Sequence, residues 1–542
     1  MTNLGILILC LCTTVCYSLP VDDKASRPSA TIDSGIIIGT TAVEPASRAT
    51  VTKYLGVPFG AKPERFSPPK SPERWNSPYD ASDFKPACIQ KFDYPDAART
   101  LKMAWFNTPP PAAGESEDCL NLNVFVPGSA TQDAKAVMFW IYGGGFNFGT
   151  GSLSQYDGAS LAANHDIIVV TPNYRTNVFG FPGSPDMKET EQNLGFLDQR
   201  LALDWVARNI AALGGDPKKV TLVGESAGAG SVDILVTSPP DPIPFRGAIM
   251  QSGQGSIYKQ NNNSAESWKI LARSANCTEA DALTCLRTLP AEELKSLVEH
   301  QALRFGPVSD GGVTWNENAR KDRIGSTKKT PLIARVPVLI GSNADEGTTF
   351  VYGRNDSRKF MRDAWPEATD DIIDMTLSLY PLGSPRISDD FQQLSRINTE
   401  YMMQCPSRAL ASDNRKAGIK TWRYYFDASF ANTNIFEDSG AWHSSEIGLV
   451  FGTYPRQGTT PFQGELSRQM QNAWARFIKD PEKGPGWAQH PKLAYIGGGV
   501  NADDDARPAG KAIMTVNPWL LDLRCWLYDG LFDKVTGLAK RR

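Results

Sequence analysis

One stretch constrains the fold of this 542-residue chain more than any other. Val220-Thr221-Leu222-Val223 is a short β-branched, apolar run and is expected to be a buried strand. Gly224-Glu225-Ser226-Ala227-Gly228 follows it, and Ala229 to Leu235 is suited to start a helix. Strand, G-x-S-x-G and helix together form the context of a nucleophile elbow. Side chains at the two flanking positions would clash in so sharp a turn, so both are glycine. The hydroxyl of Ser226 is then pushed out beyond the sheet edge, where a base and a substrate can reach it.

The surrounding sequence fits an open sheet. Ala136–Tyr142, Asp166–Thr171, Gly247–Gln251 and Val336–Gly341 are short apolar runs, each with the character of a buried strand. Between them, Asn193 to Leu213 has helical periodicity, with Leu197, Leu201, Leu203, Trp205, Val206 and Ile210 on one broad face. Gly214-Gly215-Asp216-Pro217 stops that helix. Apolar strands alternating with helices predict an α/β fold, a large mainly parallel sheet flanked by helices. Ile36 to Tyr54 reads as hairpin strands, Pro58 to Pro78 as irregular loop, and Val21 to Ser34 as a loose leader. No repeat or low-complexity linker divides the chain.

The amino terminus suggests a compartment. Leu4 to Val15 is almost wholly apolar, and Cys16 and Ser18 stand at the -3 and -1 positions of a cut after Ser18. Residues 1–18 are therefore expected to be a secretory signal peptide, leaving 19–542 as a single domain. No Lys or Arg precedes the apolar run, so only the terminal amine supplies positive charge. The run is too short for a membrane anchor, which needs about 20 residues, and no later segment is long and apolar enough to span a bilayer. Six cysteines remain after the cut: Cys88, Cys119, Cys277, Cys285, Cys405 and Cys525. An even number in a secreted chain points to disulfides, though six allow about 15 pairings. Asn262 and Asn355 begin glycosylation sequons; Asn276 begins a third beside Cys277. A net charge of -3 gives no reason to expect nucleic acid or an anionic membrane as a partner. No Cys/His cluster suggests zinc.

An activated serine needs a base, and the chain has four histidines. His165 precedes a strand, His300 lies in a charged helical stretch, and His490 sits in a Pro/Trp-rich loop. His443 lies in a polar loop after the expected strand Trp422–Phe426 and is favoured. The acid that orients the imidazole should lie between serine and histidine in chain order. Asn343-Ala344-Asp345-Glu346-Gly347 supplies two carboxylates, and composition alone does not choose between Asp345 and Glu346. Gly143-Gly144-Gly145, after a buried strand, offers unobstructed amides for an oxyanion, and Ala227 offers one from a helix N-terminus.

Longer stretches agree in order with a known family. Glu117 to Val124, Tyr54-Leu55-Gly56-Val57-Pro58, Asn173-Tyr174-Arg175, Asn193 to Gln199 and Gly224 to Gly228 together resemble the type-B carboxylesterases. That group includes cholinesterases, fungal secreted lipases and non-catalytic neuroligins. The resemblance implies an α/β-hydrolase fold and a secreted serine hydrolase acting on small carboxylic esters without metal or organic cofactor. It implies Ser226, His443 and Glu346 as the triad and Gly144, Gly145 and Ala227 as oxyanion donors. Glu225 and Ser252 are implied behind them, with Ser252 hydrogen-bonded near the histidine. It also implies the disulfides Cys88–Cys119, Cys277–Cys285 and Cys405–Cys525. The alternatives are an interfacial lipase, a biosynthetic transesterase and an adhesion protein. The complete set of catalytic positions opposes the last. A lid in the Cys88–Cys119 loop is opposed by Pro109-Pro110-Pro111 and neighbouring charges, which leave little amphipathic helix. By the same resemblance, Trp105 corresponds loosely to a cation-stacking tryptophan. Gln301 and Leu303 fall where cholinesterases carry bulky acyl-pocket aromatics, so larger acyl groups and no strong choline preference are expected.

Overall fold

The structure, a computed structural model, describes residues 27–45, 47–128, 133–257, 263–366, 368–500 and 512–538. The expected signal peptide and the Asn262 sequon lie outside these residues. Among the described residues eleven strands form one sheet. In chain order they are β1 (Thr40–Val43), β2 (Thr50–Pro58), β3 (Asn121–Pro127), β4 (Lys135–Ile141), β5 (Ile168–Pro172) and β6 (Gly215–Glu225). β7 (Gly247–Gln251), β8 (Val338–Asn343), β9 (Thr421–Ala428), β10 (Leu493–Val500) and β11 (Ile513–Val516) complete it. The spatial order is β11-β10-β9-β8-β7-β6-β4-β5-β3-β2-β1.

The run from β10 to β5 is parallel, and both margins are antiparallel. Pattern and topology agree here. All seven residues of β4 and all eight of β9 are buried. Parallel strands covered by helices on both faces are buried along their whole length in this way. The strands of the margins carry more polar side chains; in β1 no residue is fully buried.

Two sequence expectations need correction. The stretch read as a loose leader contains a strand, Ser29–Ile32, paired antiparallel with Gly35–Ile38. Its polar residues disguise it, but Ile32 and Ile37 are buried against the main core. The Cys88–Cys119 loop, expected to hold little amphipathic helix, contains the 11-residue helix Asp96–Phe106. The prolines begin only at Pro109, beyond its end, so they terminate the helix without preventing it.

The disulfides join Cys88 to Cys119, Cys277 to Cys285 and Cys405 to Cys525. The last spans 120 residues and ties the helix Trp526–Val535 to the helix Cys405–Lys416. Loop-closure entropy for that span corresponds to about 5 kcal/mol. Behind the elbow, all eleven residues of the helix Ala227–Thr237 are buried. Asp233 on that helix pairs with Arg323, and both side chains are inaccessible to solvent. Its second oxygen accepts the N–H groups of Gly255 and Ser256 at 2.9 and 2.8 Å. Removing either charge would leave the other buried and unpaired, a loss of about 3–5 kcal/mol. This pair fixes both the helix and the loop that walls one side of the site.

Candidate active site

Ser226 stands between β6 and the helix Ala227–Thr237 with φ 55° and ψ -123°. A non-glycine residue there stores about 1–3 kcal/mol of backbone strain. Close packing holds it in place. A Cβ on Gly228 would lie 2.0 Å from the Ile141 carbonyl oxygen of β4, and one on Gly224 would lie 2.4 Å from the Gly228 oxygen. The Ser226 N–H donates to the Gln251 carbonyl at 2.9 Å, tying the turn to the end of β7.

His443 Nε2 lies 2.8 Å from Ser226 Oγ, and its Nδ1 lies 2.6 Å from Glu346 Oε2. Glu346 is fully buried, and its Oε1 accepts the Asn343 N–H at 2.7 Å. The structure thus separates the two carboxylates that composition left equal. Asp345 points the other way: it accepts the Ala441 N–H at 2.9 Å and pairs with Arg386 at 3.0 Å. Arg386 also holds Asp427, so the loop carrying His443 is anchored to the end of β9. The other histidines are elsewhere. His165 and His490 are held neutral by burial, down to about 4, and His300 is exposed and bonded to the Ser296 carbonyl.

The electrostatics around His443 are unusual in one respect. Three buried glutamates, Glu225, Glu346 and Glu446, surround this imidazole. Burial disfavours the imidazolium, but the carboxylates of Glu225 and Glu346 outweigh it and raise His443 to about 9. Glu225 lies 3.3 Å from Nε2, accepts the Ser444 hydroxyl at 2.7 Å, and is itself raised to about 8 by burial. Glu446 is also raised by burial and by Glu346. It accepts amide protons from Asn343 and Gln251 at 2.6 and 2.9 Å, and Gln251 accepts Trp474 Nε1–H at 2.8 Å. Glu446 stands three residues after His443 in sequence, but its role becomes visible only once β7, β8 and the histidine loop are brought together.

Two cavities meet at Ser226. The first, about 80 Å³, is lined by Gly145, Phe146, Ala227, Ile234, Pro307, Trp315, Met402 and Met403, among others. The second, about 160 Å³, is lined by Gly144, Gly145, His443 and Phe350, and by Lys91, Phe92, Lys102, Phe106 and Phe148 from across the mouth. Gly144 (φ 102°) turns the chain so closely that a Cβ would lie 2.3 Å from the Phe148 oxygen. Ala227 opens its helix, so its N–H has no intrahelical acceptor.

Four expected positions are not where the resemblance put them. Trp105 is buried and packs on Tyr352 and Phe436 at 5.2 and 5.3 Å; its neighbour Phe106 lines the cavity instead. Consecutive helical residues point about 100° apart, so one position decides which ring is presented. Gln301 is exposed and accepts the Ser274 hydroxyl. Leu303 packs into a separate core with Leu294 and Val298. Both precede the cavity wall, which begins at Pro307. Ser252 lines the cavity, but its buried hydroxyl has no hydrogen-bond partner; the hydroxyl that bonds beside His443 is that of Ser444. Met402 and Met403 carry no signal in the sequence. They come from a π-helical turn, Thr399–Gln404, between two regular helices. Such insertions concentrate at functional sites, and no apolar period marks this one. Among the described residues no group of three or more His, Cys, Asp and Glu is placed to hold a metal ion.

A model of the Carboxylesterase family matches residues 26–494. The chain is 32% identical over 507 residues to the acetylcholinesterase of Bungarus fasciatus, covering 87% of this chain and 81% of that protein. It is 31% identical over 472 residues to the cholinesterase of Mus musculus, covering 80% and 76%. It is 32% identical over 513 residues to the acetylcholinesterase of Electrophorus electricus, covering 82% and 78%.

Proposed function

Since the chain belongs to the carboxylesterase family and is a carboxylic ester hydrolase, we propose that it acts outside the cell through an acyl-enzyme on Ser226. The observation that carries this reading is the hydrogen-bonded series Ser226–His443–Glu346 at the junction of two cavities. His443 Nε2 takes the hydroxyl proton as Oγ attacks the ester carbonyl. Glu346 keeps the other imidazole proton on Nδ1 and stabilises the imidazolium. The oxyanion is held by the N–H groups of Gly144, Gly145 and Ala227, each donor contributing about 10²–10³ in kcat. His443 then returns its proton to the leaving alcohol, and water repeats the sequence on the acyl-enzyme.

Proton return assigns the cavities. The alcohol oxygen must face His443, so the alcohol occupies the cavity that His443 lines. The acyl chain occupies the one walled by Ile234, Trp315, Met402 and Met403. Methionines repack readily around different shapes. Butyryl esters are therefore expected to be hydrolysed at least as well as acetyl esters, even though Gln301 and Leu303 take no part. Extracellular action is supported by the apolar amino-terminal run, by the three disulfides and by the exposed Asn355. Among the described residues no helix is long and apolar enough to cross a membrane. By the same reading residues 19–542 are a single domain, which is supported by the one large sheet whose strands β10 and β11 come late in the chain.

The test is a panel of 4-nitrophenyl acetate, butyrate and octanoate, each run from below to above its solubility limit. Turnover of the shorter esters without a rate jump at saturation is expected. Turnover only above the solubility limit would favour the interfacial lipase.

The elevated His443 predicts the pH dependence. An imidazole must be neutral to act as base, and the carboxylates around it favour its charged form. The ascending limb of kcat/KM should therefore lie above 6.5, with activity lost as pH falls through it. Glu225→Gln removes one of those carboxylates, and the limb should move down by about 1 unit. An ascending limb below 6.5, or one unmoved in Glu225→Gln, would contradict this assignment.

A further inference from the structure

The alcohol-side cavity carries charge that ester hydrolysis itself does not require. Lys91 is buried, with 10% of its side chain accessible, yet it lines this cavity. Its backbone N–H donates to the Asn147 carbonyl at 2.8 Å, which fixes it against the glycine-rich oxyanion loop. An ammonium group has three donors. The contact made by Nζ is to Asp93 Oδ1, and at 3.5 Å it is long. The other Asp93 oxygen is engaged by Lys102 Nζ at 3.2 Å. Two ammonium groups thus share one carboxylate, and all three side chains line the cavity. Buried lysines are ordinarily paired, so Lys91 has hydrogen-bonding capacity left over.

The rest of the wall does not use that capacity. Phe92, Phe106, Phe148 and Phe350 supply an apolar surface. Glu225 is the other carboxyl group lining the cavity, but it is spent on Ser444 and His443.

We propose that this cavity recognises esters whose alcohol part carries a carboxylate, bound through the ammonium of Lys91 with Lys102 as second cation. The inference rests on the hydrolase mechanism above, and in particular on the alcohol facing His443. An apolar linker between the ester oxygen and the carboxylate would cross the phenylalanine surface. A quaternary ammonium would bring like charge to Lys91 in the same place. The relatives named for choline esters therefore mark the reaction of this chain, while its alcohol specificity is reversed in sign.

Three butyryl esters test this: 4-butanoyloxybutanoate, its neutral amide 4-butanoyloxybutanamide, and butyrylcholine. In the wild-type enzyme kcat/KM for the carboxylate should exceed that for the amide by tenfold or more, and butyrylcholine should fall below the amide. In Lys91→Gln the carboxylate-to-amide ratio should approach one. In Lys91→Glu the order of carboxylate and choline should invert. Ratios within one enzyme are insensitive to the fraction correctly folded. A wild-type ratio at or below one with the amide well hydrolysed would overturn the inference and leave the hydrolase mechanism standing. So would a ratio that both Lys91 variants leave unchanged. Failure to hydrolyse all three and the 4-nitrophenyl esters alike would overturn both.

Discussion

In His443→Ala, kcat/KM for a neutral ester is expected to fall by about 10⁵-fold or more, because in the proposed mechanism serine and histidine act as a unit. The geometry gives the reason. His443 is the histidine in contact with Ser226 Oγ, at 2.8 Å, and burial keeps water from taking its place. Glu346→Gln is expected to lose about 10⁴-fold, since a glutamine amide facing Nδ1 favours the wrong tautomer while preserving shape. Asp345→Asn should retain the triad chemistry. Its effect should appear as reduced thermal stability, because Asp345 anchors the histidine loop through Ala441 and Arg386. Steady-state kinetics with a calorimetric midpoint for each variant separates these outcomes. A larger kinetic loss in Asp345→Asn than in Glu346→Gln would reverse the assignment of the acid.

The second large effect is structural. In Gly228→Ala the new methyl group would sit 2.0 Å from the Ile141 carbonyl oxygen, which belongs to backbone in a central strand. Neither partner can yield without moving β4 or the helix Ala227–Thr237, and both are buried throughout. Destabilisation beyond about 3 kcal/mol is expected, with loss of activity in whatever remains folded. Gly530→Ala is the control. A methyl group there meets nothing within 4 Å on a helix, so it should stabilise by a few tenths to about 1 kcal/mol. Urea denaturation of the two variants reads both changes. A Gly228→Ala protein of wild-type stability would contradict the close packing of the elbow.

The sequence made the frame and the chemistry legible for identifiable reasons. Ala136–Ile141 of β4, Val220–Val223 of β6, Gly247–Met250 of β7 and Val338–Gly341 of β8 are apolar runs, because parallel strands bury both faces. The G-x-S-x-G turn is legible because a backbone at 2.0 Å tolerates only glycine. The histidine loop is a candidate in the sequence because four histidines are few enough to weigh one by one. Resemblance supplied what spacing could not, the choice of Glu346 over Asp345 and the disulfide pairing. The cavity surface beside Ser226 was not legible. Its walls come from Lys91 to Phe106, Pro307, Trp315 and the Met402–Met403 turn, segments remote in sequence. A one-residue phase on a short helix presented Phe106 and buried Trp105. A chain turn after the helix Ala291–His300 sent Leu303 into a second core. Local pattern carries no record of either choice. Lys91 is the extreme case: as a letter it is an ordinary surface residue, and only its burial beside the oxyanion loop gives it meaning.

The central claim is that Ser226 attacks the ester and becomes acylated. A fluorophosphonate that phosphonylates activated serines tests it directly when labelling is followed by peptide mass spectrometry. One tryptic peptide, carrying Ser226, should be modified in stoichiometric amount as activity disappears. The modification should be absent from Ser226→Ala and strongly slowed in His443→Ala. Stoichiometric labelling at another residue, or undiminished ester hydrolysis by Ser226→Ala, would contradict the account.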